Sequence, residues 1–259
     1  MKITRLLTVS EEECREIITD TLSNMPHEVT EGYIVTRNPG VLPLICVHTD
    51  VHGAVSPPAV AVINGVVVSA GDTKCLGADD RAGVWIALEM IKRGRVDFNY
   101  AFFSGEETGC IGSHTFSLIE DLSNYSCFIG LDKSGYDDVA TYGYDSDELI
   151  GIFEDIGYVR VPGTVSDCSV LSAASGTIPC VNLSVGYTNE HTKKERLNIK
   201  VMEGTLEDIL EVTLGTNYEI SDYEVSSYKS CEELRCDCCW AHVKLYDTHD
   251  GYYLCSNCL

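Results

Sequence analysis

The stretch Phe102-Phe103-Ser104-Gly105-Glu106-Glu107-Thr108-Gly109 decides how this chain is read. It closes an apolar run, 99–103, with the length of a buried strand, and that run ends on two adjacent glutamates. Neighbouring carboxylates at the mouth of a buried strand repel each other and resist desolvation. Bulk solvent relieves that cost, and so does a cation held by one acid while the other handles a proton.

Working outward, the same arrangement recurs. The apolar run 41–47 delivers His48-Thr49-Asp50 at its carboxyl end. Gly77-Ala78-Asp79-Asp80 precedes a helical pattern over 82–91 that stops at Gly94, so either aspartate could serve as a simple N-cap. The run 127–131 ends at Asp132, and 179–185 leads to Gly186-Tyr187-Thr188-Asn189-Glu190-His191. Ser10-Glu11-Glu12-Glu13 is a capping-box pattern opening a helix to about Met25, and Asn64-Gly65 marks a tight hairpin within 59–70. Further helices are expected over 112–119, 146–156, 166–174 and 203–214, with strands over 33–37, 139–142 and 159–165. Strands alternating with helices predict an α/β fold, a mostly parallel mixed sheet flanked by helices.

The 259 residues suit one α/β domain with an appendage, and 44% hydrophobic residues are ample for a core. A net charge of −22 argues against a nucleic-acid partner and against an anionic membrane surface. Residues 1–10 hold no apolar core of signal-peptide length, and no run approaches a membrane span, so a cytoplasmic protein is expected. Thirteen cysteines without a secretion signal suggest reduced thiols or metal ligands. Cys14, Cys46, Cys75, Cys110, Cys127, Cys168 and Cys180 read as small core residues, while the other six fall between Cys231 and Cys258.

The polar residues at strand exits and helix openings are His48, Asp50, Asp79, Glu106, Glu107, Asp132 and His191. Ligands of open α/β sheets gather at the carboxyl ends of strands. Two histidines and three carboxylates are enough to hold two divalent cations if one carboxylate bridges them. Asp50 could hold the second ring nitrogen of His48, and the spare glutamate could act as a general base.

In order along the chain, His48-Thr49-Asp50, Leu76-Gly77-Ala78-Asp79-Asp80-Arg81-Ala82-Gly83, Gly105-Glu106-Glu107-Thr108-Gly109, Asp132 and His191 resemble the co-catalytic zinc exopeptidases. That clan includes peptidase T-like tripeptidases, zinc aminopeptidases, and related acylases and deacetylases; the Gly-Ala-Asp-Asp stretch is most similar to the peptidase T branch. The resemblance covers about residues 30–215. It implies that Asp79 bridges two Zn2+ ions (or other divalent metals), with His48 and Asp132 completing one site and Glu107 and His191 the other. It further implies that Asp50 orients His48 and that Glu106 moves the proton from the attacking water to the leaving amine. Tyr187, near His191, is a candidate to steady an oxyanion, and Asp167 to face a substrate amine. Relatives in the clan carry a lid or dimerisation domain between the positions matching Asp132 and His191, or a domain between those matching Asp50 and Asp79. Only about sixty residues separate Asp132 from His191 here, and the earlier gap is also short, so a single lidless catalytic domain over 1–220 is expected.

A polar linker follows over 221–230, then 231–259 carries Cys236/Cys239 and Cys255/Cys258, two C-x-x-C pairs with zinc-ribbon spacing. One structural Zn2+ on these four thiolates is expected, in a module suited to protein docking or self-association. The expected function is hydrolysis of short peptides by an aminopeptidase or tripeptidase. An N-acyl amino acid amidohydrolase and a non-catalytic zinc-stabilised binding module stand as alternatives.

Overall fold

A computed structural model describes residues 1–53, 58–70 and 75–221, together with the backbone of 245–247 and 253–255. The chain begins with helices α1 (Ile3–Leu6) and α2 (Glu11–Thr21), then strands β1 (His27–Val29), β2 (Tyr33–Thr36) and β3 (Leu42–His48). The hairpin β4 (Val60–Ile63) and β5 (Val66–Ser69) precedes helix α3 (Ala78–Lys92), β6 (Asn99–Phe103) and helix α4 (Ile111–Ile119). Next come β7 (Tyr125–Lys133), β8 (Asp138–Thr141), α5 (Asp147–Glu154), β9 (Val159–Pro162) and α6 (Asp167–Ser175). Strands β10 (Cys180–Ser184), β11 (Tyr187–Thr188) and β12 (Arg196–Asn198) lead into α7 (Ile199–Glu211). Beyond it, β13 (Leu245–Asp247) and β14 (Tyr253–Cys255) pair antiparallel.

Eight strands form the main sheet in the order β1-β2-β6-β3-β7-β10-β8-β9. Its centre, β6-β3-β7-β10, is parallel, while β2 and β8 run antiparallel to their inner neighbours. Both faces are covered, which explains why the central strands read as unbroken apolar runs. Ile45, Val47, Phe102, Ile129 and Leu131 point into one core with α1, α2, α3, α5 and α7. Leu44, Cys46, Phe103 and Phe128 point into the other, against Phe116 of α4 and Leu171 of α6. The seven scattered cysteines are free and buried, as expected of small core residues.

Local signals account for most of the elements. Ser10 and Glu13 form the expected capping box on α2. Asn64 and Gly65 both take positive φ (52° and 81°), the conformation a two-residue hairpin turn requires. The expected strands and helices appear with shifted ends; the closing helix begins at Ile199, capped by Asn198, rather than at 203. Two features escaped the pattern. The hairpin β4–β5 does not join the main sheet but pairs through β12 in a separate antiparallel sheet, β11-β12-β5-β4. Strands β1 and β12 are three residues each, too short for periodicity to register.

Between Asp132 and His191 the chain builds only β8, α5, β9, α6, β10 and β11, with no additional domain. Among the described residues no helix is long and apolar enough to cross a membrane. Apart from Ser221 and the backbone of β13 and β14, the expected linker 221–230 and the zinc-ribbon module, with the side chains of Cys236, Cys239, Cys255 and Cys258, lie outside the described residues.

Helix α3 lies against β7 at Gly83. A methyl group there would overlap the carbonyl oxygen of Leu131 and sit 2.5 Å from Asp80 Oδ1. Gly83→Ala is therefore expected to cost about 3 kcal/mol, as overpacking does. Urea unfolding would measure it, and a loss below 0.5 kcal/mol, on the scale of an ordinary surface change, would refute the close approach.

Candidate metal centre

The carboxyl ends of β3, β6 and β7, the opening of α3 and the turn after β11 meet at one place. His48 closes β3 and is 1% exposed, so its ring is fixed by the sheet. Its Nδ1 faces Asp50, 3.4 Å from Oδ1 and 3.2 Å from the backbone oxygen. Its Nε2 lies 3.1 Å from Asp79 Oδ1 and 3.4 Å from Asp132 Oδ1. On the other side of Asp79, His191 Nε2 lies 3.1 Å from Oδ2 and 3.0 Å from Glu107 Oε2. Asp79 thus stands between two imidazoles, one oxygen toward each. His191 and Asn189 take positive φ, 60° and 56°, in the turn that swings the imidazole back toward Asp79.

Asp50 does more than orient His48. Its two carboxylate oxygens accept the N–H groups of Glu106 and Glu107, each at 3.2 Å, and so tie the exit of β3 to the turn after β6. Asp80 acts as the local cap, accepting from Gly83 N at 2.9 Å and also from His48 N at 3.2 Å. The Asp79–Asp80 peptide is cis.

The electrostatics follow from packing acids this closely. Burial works to raise Asp79, but hydrogen bonds from His191 and His48 hold it below the usual carboxylate range. Burial carries Asp132 up to about 7 against the pull of His48. Glu106 is pushed up to about 8, first by burial and then by the charge of Asp132. Burial opposes a charge on His48, yet Asp132, Asp50 and Asp79 together drive it well above its ordinary value.

This donor set fits divalent cations. With Nδ1 of His48 donating to Asp50, Nε2 presents a lone pair to two carboxylates, and only a proton or a cation between them relieves the repulsion. The separations of 3.0–3.4 Å between facing donors match the edge of about 3.3 Å of a tetrahedron with bonds of about 2.0 Å. His48, Asp79 and Asp132 form one potential metal-holding group, and His52, Glu107 and His191 a second. All five residues expected as ligands are brought together.

Two candidates are placed differently from the expectation. The Tyr187 hydroxyl is buried and donates to Asp132, 2.9 Å from its carbonyl oxygen and 3.1 Å from Oδ1, so it steadies that acid rather than opening toward a substrate oxyanion. Asp167 opens α6, buried, with one oxygen accepting from Ser113 Oγ and the other without a hydrogen-bond partner. Burial pushes it up to about 7.

Sequence reasoning missed His52 and Glu195. His52 sits four residues past His48 in a segment with no periodic pattern, and its imidazole stacks on that of His191. Glu195 is 2% exposed and accepts four backbone N–H groups, from Leu76, Gly77, Ala78 and Asp79.

No protein-family model matches the chain, and no curated protein does. Solved structures match it. A tripeptidase from Staphylococcus aureus subsp. aureus Mu50 superposes with a TM-score of 0.65 at 16% identity, over 81% of this chain and 95% of that one. Aminopeptidase PepT from Bacillus cereus ATCC 10987 gives 0.63 at 16%, over 80% and 95%. The Pyrococcus horikoshii TET1 peptidase, which can assemble into a tetrahedron or a large octahedral shell, gives 0.61 at 16%, over 79% and 94%. Such identities speak for architecture alone, and the architecture is clear: this chain has the fold of these PepT, tripeptidase and TET1 structures.

Proposed function

We propose that the chain is a dinuclear zinc peptidase that removes residues from the amino end of short peptides. The observation that carries this reading is the convergence of His48, Asp79, Glu107, Asp132 and His191 beside a sixth polar group, Glu106, that is not needed as a ligand. His48 and Asp132 would hold one cation, Glu107 and His191 the other, and Asp79 both. When bound, the pair supplies Lewis acidity, polarising the scissile carbonyl and lowering the pKa of water toward about 7.

The chain's own groups do the rest. Asp50 fixes the tautomer of His48 and holds the Glu106–Glu107 turn by its backbone. Tyr187 holds Asp132 in place. The Glu106 carboxylate takes the proton of the attacking water and returns it to the leaving nitrogen. Burial lifts the Glu106 carboxyl above the usual carboxylate range, the direction that suits a group taking a proton and giving it back.

A free amine at the substrate end is preferred because the sequence offers no clear arginine cluster for the carboxylate of an acyl amino acid; Arg37, Arg93, Arg95 and Arg160 are each engaged with acids. On spacing alone we also propose one structural Zn2+ on Cys236, Cys239, Cys255 and Cys258.

Metal analysis combined with two substrate panels tests the reading. About three Zn2+ per chain are expected from the site count, with cleavage of unblocked tripeptides and none of their N-acetyl forms. Hydrolysis of N-acyl amino acids instead would establish a deacylase. A single zinc with no cleavage of either panel would leave a binding module.

A further inference from the structure

We infer that His52 is a fourth protein ligand at the Glu107–His191 cation site, making that site richer in nitrogen than its partner and selective for Zn2+ over Mg2+. This rests on the two-cation reading above but on different atoms. His52 Nδ1 lies 3.3 Å from Glu107 Oε2, the same oxygen that stands 3.0 Å from His191 Nε2. The two imidazoles stack with centroids 4.3 Å apart and planes within 18°, and one ligand atom each from His52, Glu107 and His191 lies within 4.8 Å of the others. With Asp79 Oδ2 at 3.1 Å from His191 Nε2, the donors facing one another across this site lie 3.0–3.3 Å apart. Those three separations are close to the edge, about 3.3 Å, of a tetrahedron with bonds of about 2.0 Å to nitrogen and oxygen.

The segment carrying the ring is itself held in register. The backbone N–H of His52 donates to Glu107 Oε1 at 3.0 Å, and its carbonyl accepts the Cys75 thiol at 3.2 Å. Glu107 therefore meets His52 twice, at the peptide and at the ring, which a ring drifting in solvent would not do. The His48–Asp132 site has one imidazole and two carboxylates, Asp79 included; the Glu107–His191 site has two of each. Imidazole suits zinc, whereas magnesium takes oxygen and water.

Chelator competition for zinc on the full chain tests the assignment, with wild type, His52→Ala and His52→Asn compared. The ring is 47% exposed, so neither change opens a core cavity. His52→Ala is expected to weaken one zinc equivalent by at least about 10- to 100-fold, the loss that removing even a supporting partner causes, with the other equivalents unmoved. Asparagine can reproduce a hydrogen bond to Glu107 but not imidazole ligation, so His52→Asn is expected to fail as alanine does. Rescue by asparagine would reduce His52 to a hydrogen-bonding support and overturn the inference, as would unchanged affinity in both variants. A wild-type chain binding no cation pair would instead overturn the two-cation reading itself.

Discussion

Glu106→Gln is expected to lower kcat/KM on an unblocked tripeptide by about 10²–10⁴-fold, the usual worth of a positioned general base, with the zinc content unchanged. The two halves of this expectation come from separate facts. The amide has the shape of the acid but cannot accept the water proton, so the chemical step fails. Metal retention follows because the facing donors, His48, Asp79, Glu107, Asp132 and His191, exclude Glu106. The turn itself should survive, because Asp50 grips it through the Glu106 and Glu107 backbone N–H groups rather than through the side chain. Steady-state kinetics on the variant, paired with elemental analysis, would decide. Activity within tenfold of wild type would mean that another group is the base; Asp167, buried nearby with one oxygen unpartnered, would be next to test.

What could be read in the sequence, and what could not, divides along physical lines. The central strands were visible because helices cover both faces of the sheet, so β3 and β6 carry no polar alternation. Of the five expected ligand positions, His48 and Asp132 directly follow such a run and Asp79 opens a helix, where a charged residue is conspicuous; Glu107 and His191 lie four and six residues past their runs. Tyr187 was legible as a site residue but not as to its role, since the direction of a hydroxyl depends on Asp132, 55 positions away. The hairpin around Asn64-Gly65 was legible locally, but its sheet was not, because its partner β12 is three residues long and lies past His191. His52 escaped for a related reason: nothing local distinguishes an imidazole stacked on His191 from one standing in solvent.

Glu195 is the clearest case of a determinant with no local signature, and its removal should be felt at the metal centre. Asp79 and Asp80 are non-helical and Asp80 caps the regular turns of α3 through Gly83 N, so the N–H groups of the segment leading into the helix, Leu76 to Asp79, need another acceptor. Glu195 supplies it from 116 to 119 residues away, accepting Leu76, Gly77, Ala78 and Asp79 N–H at 2.7, 2.9, 2.8 and 3.1 Å. Glu195→Gln keeps the volume but turns an NH2 group toward two of those donors. At about 1–3 kcal/mol for each buried donor left unmet, a loss of roughly 3 kcal/mol is expected. Because one of the four donors belongs to Asp79, the residue proposed to bridge the two cations should loosen too. Urea unfolding should thus record the destabilisation, and chelator competition should record weaker binding of both core cations together, in contrast to the single equivalent expected for His52→Ala. A variant with an unchanged urea midpoint and unchanged zinc affinity would show that Asp79 is held by its imidazole neighbours alone.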